Sequence, residues 1–216
     1  MNVKDLMQSA EENRTPFYYY DMELLENTLN KLKYAADKYK YNVHYALKAN
    51  TNGRVLDLIS SYGFGADCVS GNEINKAVAH GFSPDEIAFA GVGKTDREIE
   101  VGLGNAIFCF NCESMQEIEV INEIATREGK VADIALRVNP NVDANTHRYI
   151  TTGTTENKFG ILVTEIAAVV KLIESYDDPR INLIKNEINL GVSNTINKAL
   201  SIIKTEYIVR IDQDDI

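Results

Sequence analysis

A chain of 216 residues with net charge −10, 25% charged and 44% hydrophobic, has the composition of a soluble globular protein long enough to bury a core. The acidic balance and the lack of any Lys/Arg cluster exclude a nucleic-acid backbone as partner, but not a small anionic ligand in a local pocket. No apolar stretch approaches the ~20 residues of a membrane helix. Residues 1–16 carry no apolar core of signal-peptide length. The three cysteines, Cys68, Cys109 and Cys112, have no disulfide-framework spacing, so a reducing cytoplasmic setting is expected.

In chain order, Asp21 is placed to cap a helix whose apolar positions Leu25, Leu29, Leu32 and Ala36 share a face. The strand VHYAL follows, then a helix from about Arg54 to Tyr62 that stops at Gly63, then the strand GADCV. Ser70 with Glu73, Thr95 with Glu98 and Ser114 with Glu117 have capping-box spacing, and each pair opens a helix. The intervening strands are EIAFAG, AIFCF and ADIALRV. CFNC has C-x-x-C spacing without a second pair or a flanking histidine, and is read as the apolar end of a strand.

This alternation of strand and helix predicts an α/β fold with a parallel sheet, closed as a (β/α) barrel or open and doubly wound. No G-x-G-x-x-G follows the first strand, which weakens the dinucleotide-binding version. A long polar loop, NPNVDANTHRYITTGTTEN, begins at Asn139.

In either closure the working residues gather at the carboxyl ends of strands. Lys48 ends one strand, Asp67 and Ser70 the next, and Arg137 closes ADIALRV. An amine, a carboxylate, a hydroxyl and a guanidinium at one rim suit an imine-forming lysine, since partial burial of an amine favours its neutral, nucleophilic form. Helix capping would account for Ser70 equally well, and an ordinary ion pair would account for Asp67 with Arg137.

TPFYYYD, VHYALKAN, GADCVSGNEI, RVNPNVDANTHRYITTG and ENKFGI follow one another in the order and spacing of diaminopimelate decarboxylases, which the chain resembles over about residues 15–162. The resemblance implies an alanine-racemase-like (β/α) barrel and pyridoxal 5'-phosphate as cofactor. It implies an amino-acid substrate, meso-diaminopimelate, decarboxylated to lysine. Lys48 would form the imine with the cofactor, and Asp67, Ser70 and Arg137 would surround it. Lys158 would lie near a homodimer interface and His147 would pack its loop, while His44 and His80 are read as structural. After KFGI the family's ring-stacking histidine, phosphate-binding glycine loop, acidic partner and second domain are not found. Weak or absent turnover is therefore expected of this chain alone.

Residues from about Ser175 to Ile216 resemble instead a family 2 glycosyltransferase with a GT-A fold, through INLGVSNTINKAL and the closing DQDD. That resemblance implies a Mn or Mg ion held by Asp212 and Asp214, with Asp215 beside them, on a nucleotide-sugar diphosphate. The expected organisation is a partial pyridoxal-phosphate-binding barrel over residues 1–162, a helical junction over 163–178 and a GT-A/Rossmann-like βαβ fragment over 179–216. In the junction Thr164 is placed as cap, with Ile166, Val169, Val170 and Ile173 as the apolar face. The chain thus reads as a fusion of two fragments. The alternatives to a decarboxylase are a glycosyltransferase fragment and a non-catalytic fused piece.

Overall fold

The computed structural model describes residues 7, 8, 10, 16–139, 160–162 and 164–175. Five strands form one sheet in strictly sequential order: β1 (His44–Ala46), β2 (Gly65–Cys68), β3 (Ile87–Phe89), β4 (Cys109–Cys112) and β5 (Ile134–Leu136). The pairs β1–β2, β2–β3 and β3–β4 run parallel. A doubly wound sheet reverses its strand order at a switch point, whereas a barrel adds each new strand beside the last. The observed order is the barrel's.

The helices begin where the caps predict. In α1 (Met22–Tyr39) the Asp21 carboxylate accepts from the Leu24 N–H at 2.9 Å. In α3 (Gly71–Ala79) the Ser70 hydroxyl accepts from Glu73 N–H at 3.2 Å, and Ser114 does the same for Glu117 at the start of α5 (Met115–Arg127). The returning carboxylates of Glu73 and Glu117 reach one residue further back than in the usual box, to the N–H groups of Val69 and Glu113, both at 2.7 Å. Thr95 and Glu98 form the full box at α4 (Asp96–Asn105). The helix α2 (Gly53–Ser61) is capped by Asn52.

Four expectations are corrected. Leu32 is exposed, and on α1 only Leu29 and Ala36 are buried. The strand placed at residues 106–110 begins at Cys109, because Ala106 takes a left-handed conformation (φ 52°) to end α4 and the Ile107 N–H bonds back to Gly102. ADIALRV is broken at Arg137: β6 (Val138–Asn139) leaves the main sheet and pairs in parallel with β7 (Ile161–Leu162). In α6 (Ile166–Ser175) the first acceptor is the carbonyl of Glu165, which takes the N–H groups of Ala168 and Val169, so Glu165 rather than Thr164 stands at the cap. Of the apolar face drawn there, Val169 is buried and Ile166 half-buried; the side chains of Val170 and Ile173 lie outside the described set.

The chain divides into two units, Met1–Asn111 with Val120–Ile134 and Cys112–Glu119 with Ala135–Ile216. The first holds a core of Leu47, Leu56, Ile74, Ile87, Phe89, Ile99, Phe110 and Ile124, each at most 2% exposed. Phe89 and Phe110 are register partners on β3 and β4 with ring centroids 6.0 Å apart, and burying each contributes about 1.5–3 kcal/mol. Among the described residues of the second unit, Glu113 is a buried carboxylate.

Candidate active site

Lys48 sits in a single 3-10 turn, Leu47–Ala49, directly after β1. Three local interactions fix the backbone of that turn. Leu47 is fully buried. The Tyr45 hydroxyl donates to the Asn50 carbonyl at 3.1 Å, closing the turn from the strand side. On the far side the Asn50 side-chain oxygen accepts from Asn52 N–H, and the Asn52 side chain in turn caps α2 through Arg54 N–H. The Lys48 side chain itself is exposed, and no hydrogen-bond or ion-pair partner of it is found among the described residues. Partial burial, the property expected of this lysine, is absent; the fold supplies access on an anchored backbone.

Asp67 lies on the neighbouring strand, level with Ala46 on one side and Ala88 on the other. Partners in a parallel ladder share a face, so the half-buried carboxylate is flanked by two alanines. Its charge is felt nearby: it works with Glu86 against the burial that lowers the pKa of His44, and it helps raise the Cys109 thiol. Ser70, three residues on, serves as the α3 cap; that uses a hydroxyl lone pair and leaves its proton to donate. Lys48, Asp67 and Ser70 thus stand at the carboxyl ends of adjacent, directly paired strands.

Arg137 belongs to the second unit. Its N–H continues the β4–β5 ladder by donating to Cys112 O at 2.9 Å, and its guanidinium meets Glu113 at 3.1 Å. The other Glu113 oxygen accepts from Gly160 N–H at 3.2 Å, so one carboxylate ties Arg137 to the start of β7. Gly160 has φ 82°, and a Cβ there would stand 3.0 Å from Asn139 N and 3.1 Å from Arg137 O, which restricts the position to glycine.

Glu113 and Tyr45 were not singled out from sequence. In FNCES the acid follows an apolar strand and precedes a cap, a pattern shared by any surface glutamate; Tyr45 reads as one more apolar strand residue.

His44 does its work at the opposite end of β1. A Cβ on its register partner Gly65 would collide with the His44 ring and with the Glu86 carbonyl. The ring stacks on Phe108 at 6.2 Å, and its buried Nε2 lies 3.6 Å from Glu86 with no hydrogen bond. Burial pushes the Cys68 and Cys109 thiols up to about 12, so these two are not thiolates at neutral pH, and CFNC is strand β4 as expected. No group of three or more His, Cys, Asp or Glu that could hold a metal occurs among the described residues. Asp212, Asp214 and Asp215, like His147, Lys158 and the whole glycosyltransferase-like stretch beyond Ser175, lie outside those residues.

A reachable amine after β1, with a carboxylate and a hydroxyl that has a proton to give at the end of the paired β2, forms a donor set that fits an aldehyde-bearing cofactor. Comparison with known proteins identifies the family. The model of the pyridoxal-dependent decarboxylase pyridoxal-binding domain matches residues 23–201. The chain belongs to this family. Diaminopimelate decarboxylase of Bacteroides thetaiotaomicron is 54% identical over 158 residues, which make up 73% of this chain and 41% of that protein. The diaminopimelate decarboxylase of Helicobacter pylori strain J99 is 44% identical over 160 residues, 74% of this chain and 39% of that protein. A crystal structure of a mutant H. pylori diaminopimelate decarboxylase complexed with L-lysine matches with a TM-score of 0.72 at 40% identity, covering 80% of this chain and 43% of that one. The chain spans about two-fifths of the length of these decarboxylases. Its parallel strands are those of a partial (β/α) barrel of the pyridoxal-binding domain. No helix among the described residues is long and apolar enough to cross a membrane.

Proposed function

We propose that this pyridoxal-binding chain carries the cofactor-capturing part of a diaminopimelate decarboxylase, with Lys48 as the residue that bonds pyridoxal 5'-phosphate. The single observation that supports this most is the Lys48 turn: an exposed amine, without a partner among the described residues, on a backbone held from both sides at the carboxyl end of a barrel strand. Lys48 binds the aldehyde through Nζ. Asp67, on the paired strand, would supply a carboxylate from the same end of the sheet to orient the bound cofactor. Ser70 donates its hydroxyl proton to an oxygen of the ligand while its lone pair keeps α3 capped. Arg137, which the family resemblance also assigns to the cofactor, has its guanidinium paired with Glu113. When bound, pyridoxal phosphate supplies the electron sink that lets an amino acid lose carbon dioxide. The substrate is meso-diaminopimelate, the product lysine, the setting cytoplasmic, and the assembly a homodimer.

The test is direct. Incubation with pyridoxal phosphate, borohydride reduction and peptide mass analysis should place the adduct on Lys48, and Lys48→Ala should abolish that adduct. Equal labelling of several lysines, with no preference for Lys48, would remove the proposal. Carbon dioxide release from meso-diaminopimelate measures turnover.

A further inference from the structure

Tyr45 is two residues inside β1, half-buried, and its hydroxyl is committed to one acceptor, the carbonyl of Asn50. That bond spans the residues that contain Lys48 and turns 45–50 into a closed ring of backbone and side chain. Burial pushes the phenol's pKa up from its ordinary value, so the hydroxyl keeps its proton and donates at neutral pH. Leu47 pins the same turn from beneath, and Asn50 passes the constraint on to Asn52 and α2. The turn therefore has an apolar anchor at Leu47, one residue before Lys48, and a strand-side and a helix-side tie at Asn50, two residues after it.

A strand does not need this. β1 could end in any solvated loop, and a tyrosine hydroxyl at a half-buried position could as readily face water. A long flexible lysine gains from a fixed base, because its Nζ must reach one point with one approach direction to bond a carbonyl carbon. We infer that Tyr45 is a positioning residue for Lys48: its hydroxyl, through the Asn50 carbonyl, holds the turn in the conformation from which the Lys48 amine captures an aldehyde. This inference rests on the pyridoxal-phosphate proposal above and adds to it the group that sets the geometry of capture.

Capture is written in full as bond formation between Nζ and the aldehyde carbon with loss of water; borohydride then delivers hydride to that carbon and makes the link permanent. The experiment compares the full chain, Tyr45→Phe and Lys48→Ala by titrating pyridoxal phosphate, trapping with borohydride and quantifying label on the peptide containing residue 48. Thermal melts are run in parallel. Tyr45→Phe keeps the ring and removes one oxygen, so the melt should move little while Lys48 labelling falls by about tenfold at sub-saturating cofactor, in line with loss of one well-placed hydrogen bond. Labelling of surface lysines in the same samples should be unchanged, which a loss of folding would not reproduce. Asn50→Gly, which loosens the same turn from the helix side, should lower Lys48 labelling in the same direction, and it decides the matter if Tyr45→Phe does not fold. Lys48 labelling in Tyr45→Phe equal to the unsubstituted chain would overturn the inference while leaving the cofactor proposal standing. Absence of preferential Lys48 labelling in the unsubstituted chain would remove both.

Discussion

Lys48 and Glu113 occupy equivalent places, each just past the carboxyl end of a strand, β1 and β4 respectively, yet the fold treats them in opposite ways. Lys48 is exposed and unpaired among the described residues, with all the constraint placed on its backbone. Glu113 has a side chain only 3% exposed, with constraint placed on the carboxylate itself, which accepts from Arg137 and from Gly160. One position keeps a reactive group reachable; the other turns a charge into a brace. A buried carboxylate costs several kcal/mol unless it is paired and hydrogen-bonded, so Glu113 is committed to its partners, whereas Lys48 is available for a ligand.

The contrast predicts separable losses. Lys48→Ala should eliminate covalent cofactor capture and shift stability by no more than about 0.5 kcal/mol, as for an ordinary surface change. Glu113→Ala should do the reverse in the melt, costing about 2–3 kcal/mol by removing the acceptor of Arg137 and of the Gly160 N–H; the value is set at or below the ~3–5 kcal/mol of a fully buried broken pair because Arg137 keeps 23% exposure. Denaturant titration of both variants measures the difference, and equal stability losses would erase the distinction.

Gly65→Ala probes the other end of β1. The added methyl meets the His44 ring and the Glu86 carbonyl, and relief requires displacing a strand, at a cost of about 1–3 kcal/mol. The smallest effect is in pH. Burial depresses the His44 pKa below 6.5, so the unfolded chain binds the proton more readily than the folded one. Stability from this group is therefore complete above about pH 6.5 and is lost as pH falls through the folded value, at no more than ~1.4 kcal/mol per pH unit for one proton. Melts between pH 7 and 5 should show a shallower decline in His44→Gln than in the parent chain; parallel curves would assign the acid loss to the carboxylates alone.

Sequence pattern carried the fold a long way because its signals are local. Asp21, Ser70, Thr95 and Ser114 mark helix starts through bonds made within four residues, and these form. Where the outcome depended on a neighbour distant in sequence, the pattern was silent or misled. Leu32 has helical spacing but is left exposed among the described residues. The break at Arg137 follows from Glu113, 24 residues earlier, and from Gly160, whose close approach to the Arg137 carbonyl no periodicity reveals. The candidate site divides the same way: Lys48, Asp67 and Ser70 follow from their places at strand ends, whereas Tyr45 gains its meaning only from the atom its hydroxyl touches.

The sealed thiols of Cys68 and Cys109 give the molecule a built-in clock. Held protonated and covered on interior strands, they should ignore maleimides and mild oxidants for as long as β2 and β4 stay in place. Alkylation of either one then reports opening of the central sheet with no probe added to the chain, following the open population when reclosing is faster than the reagent and the opening rate when it is slower.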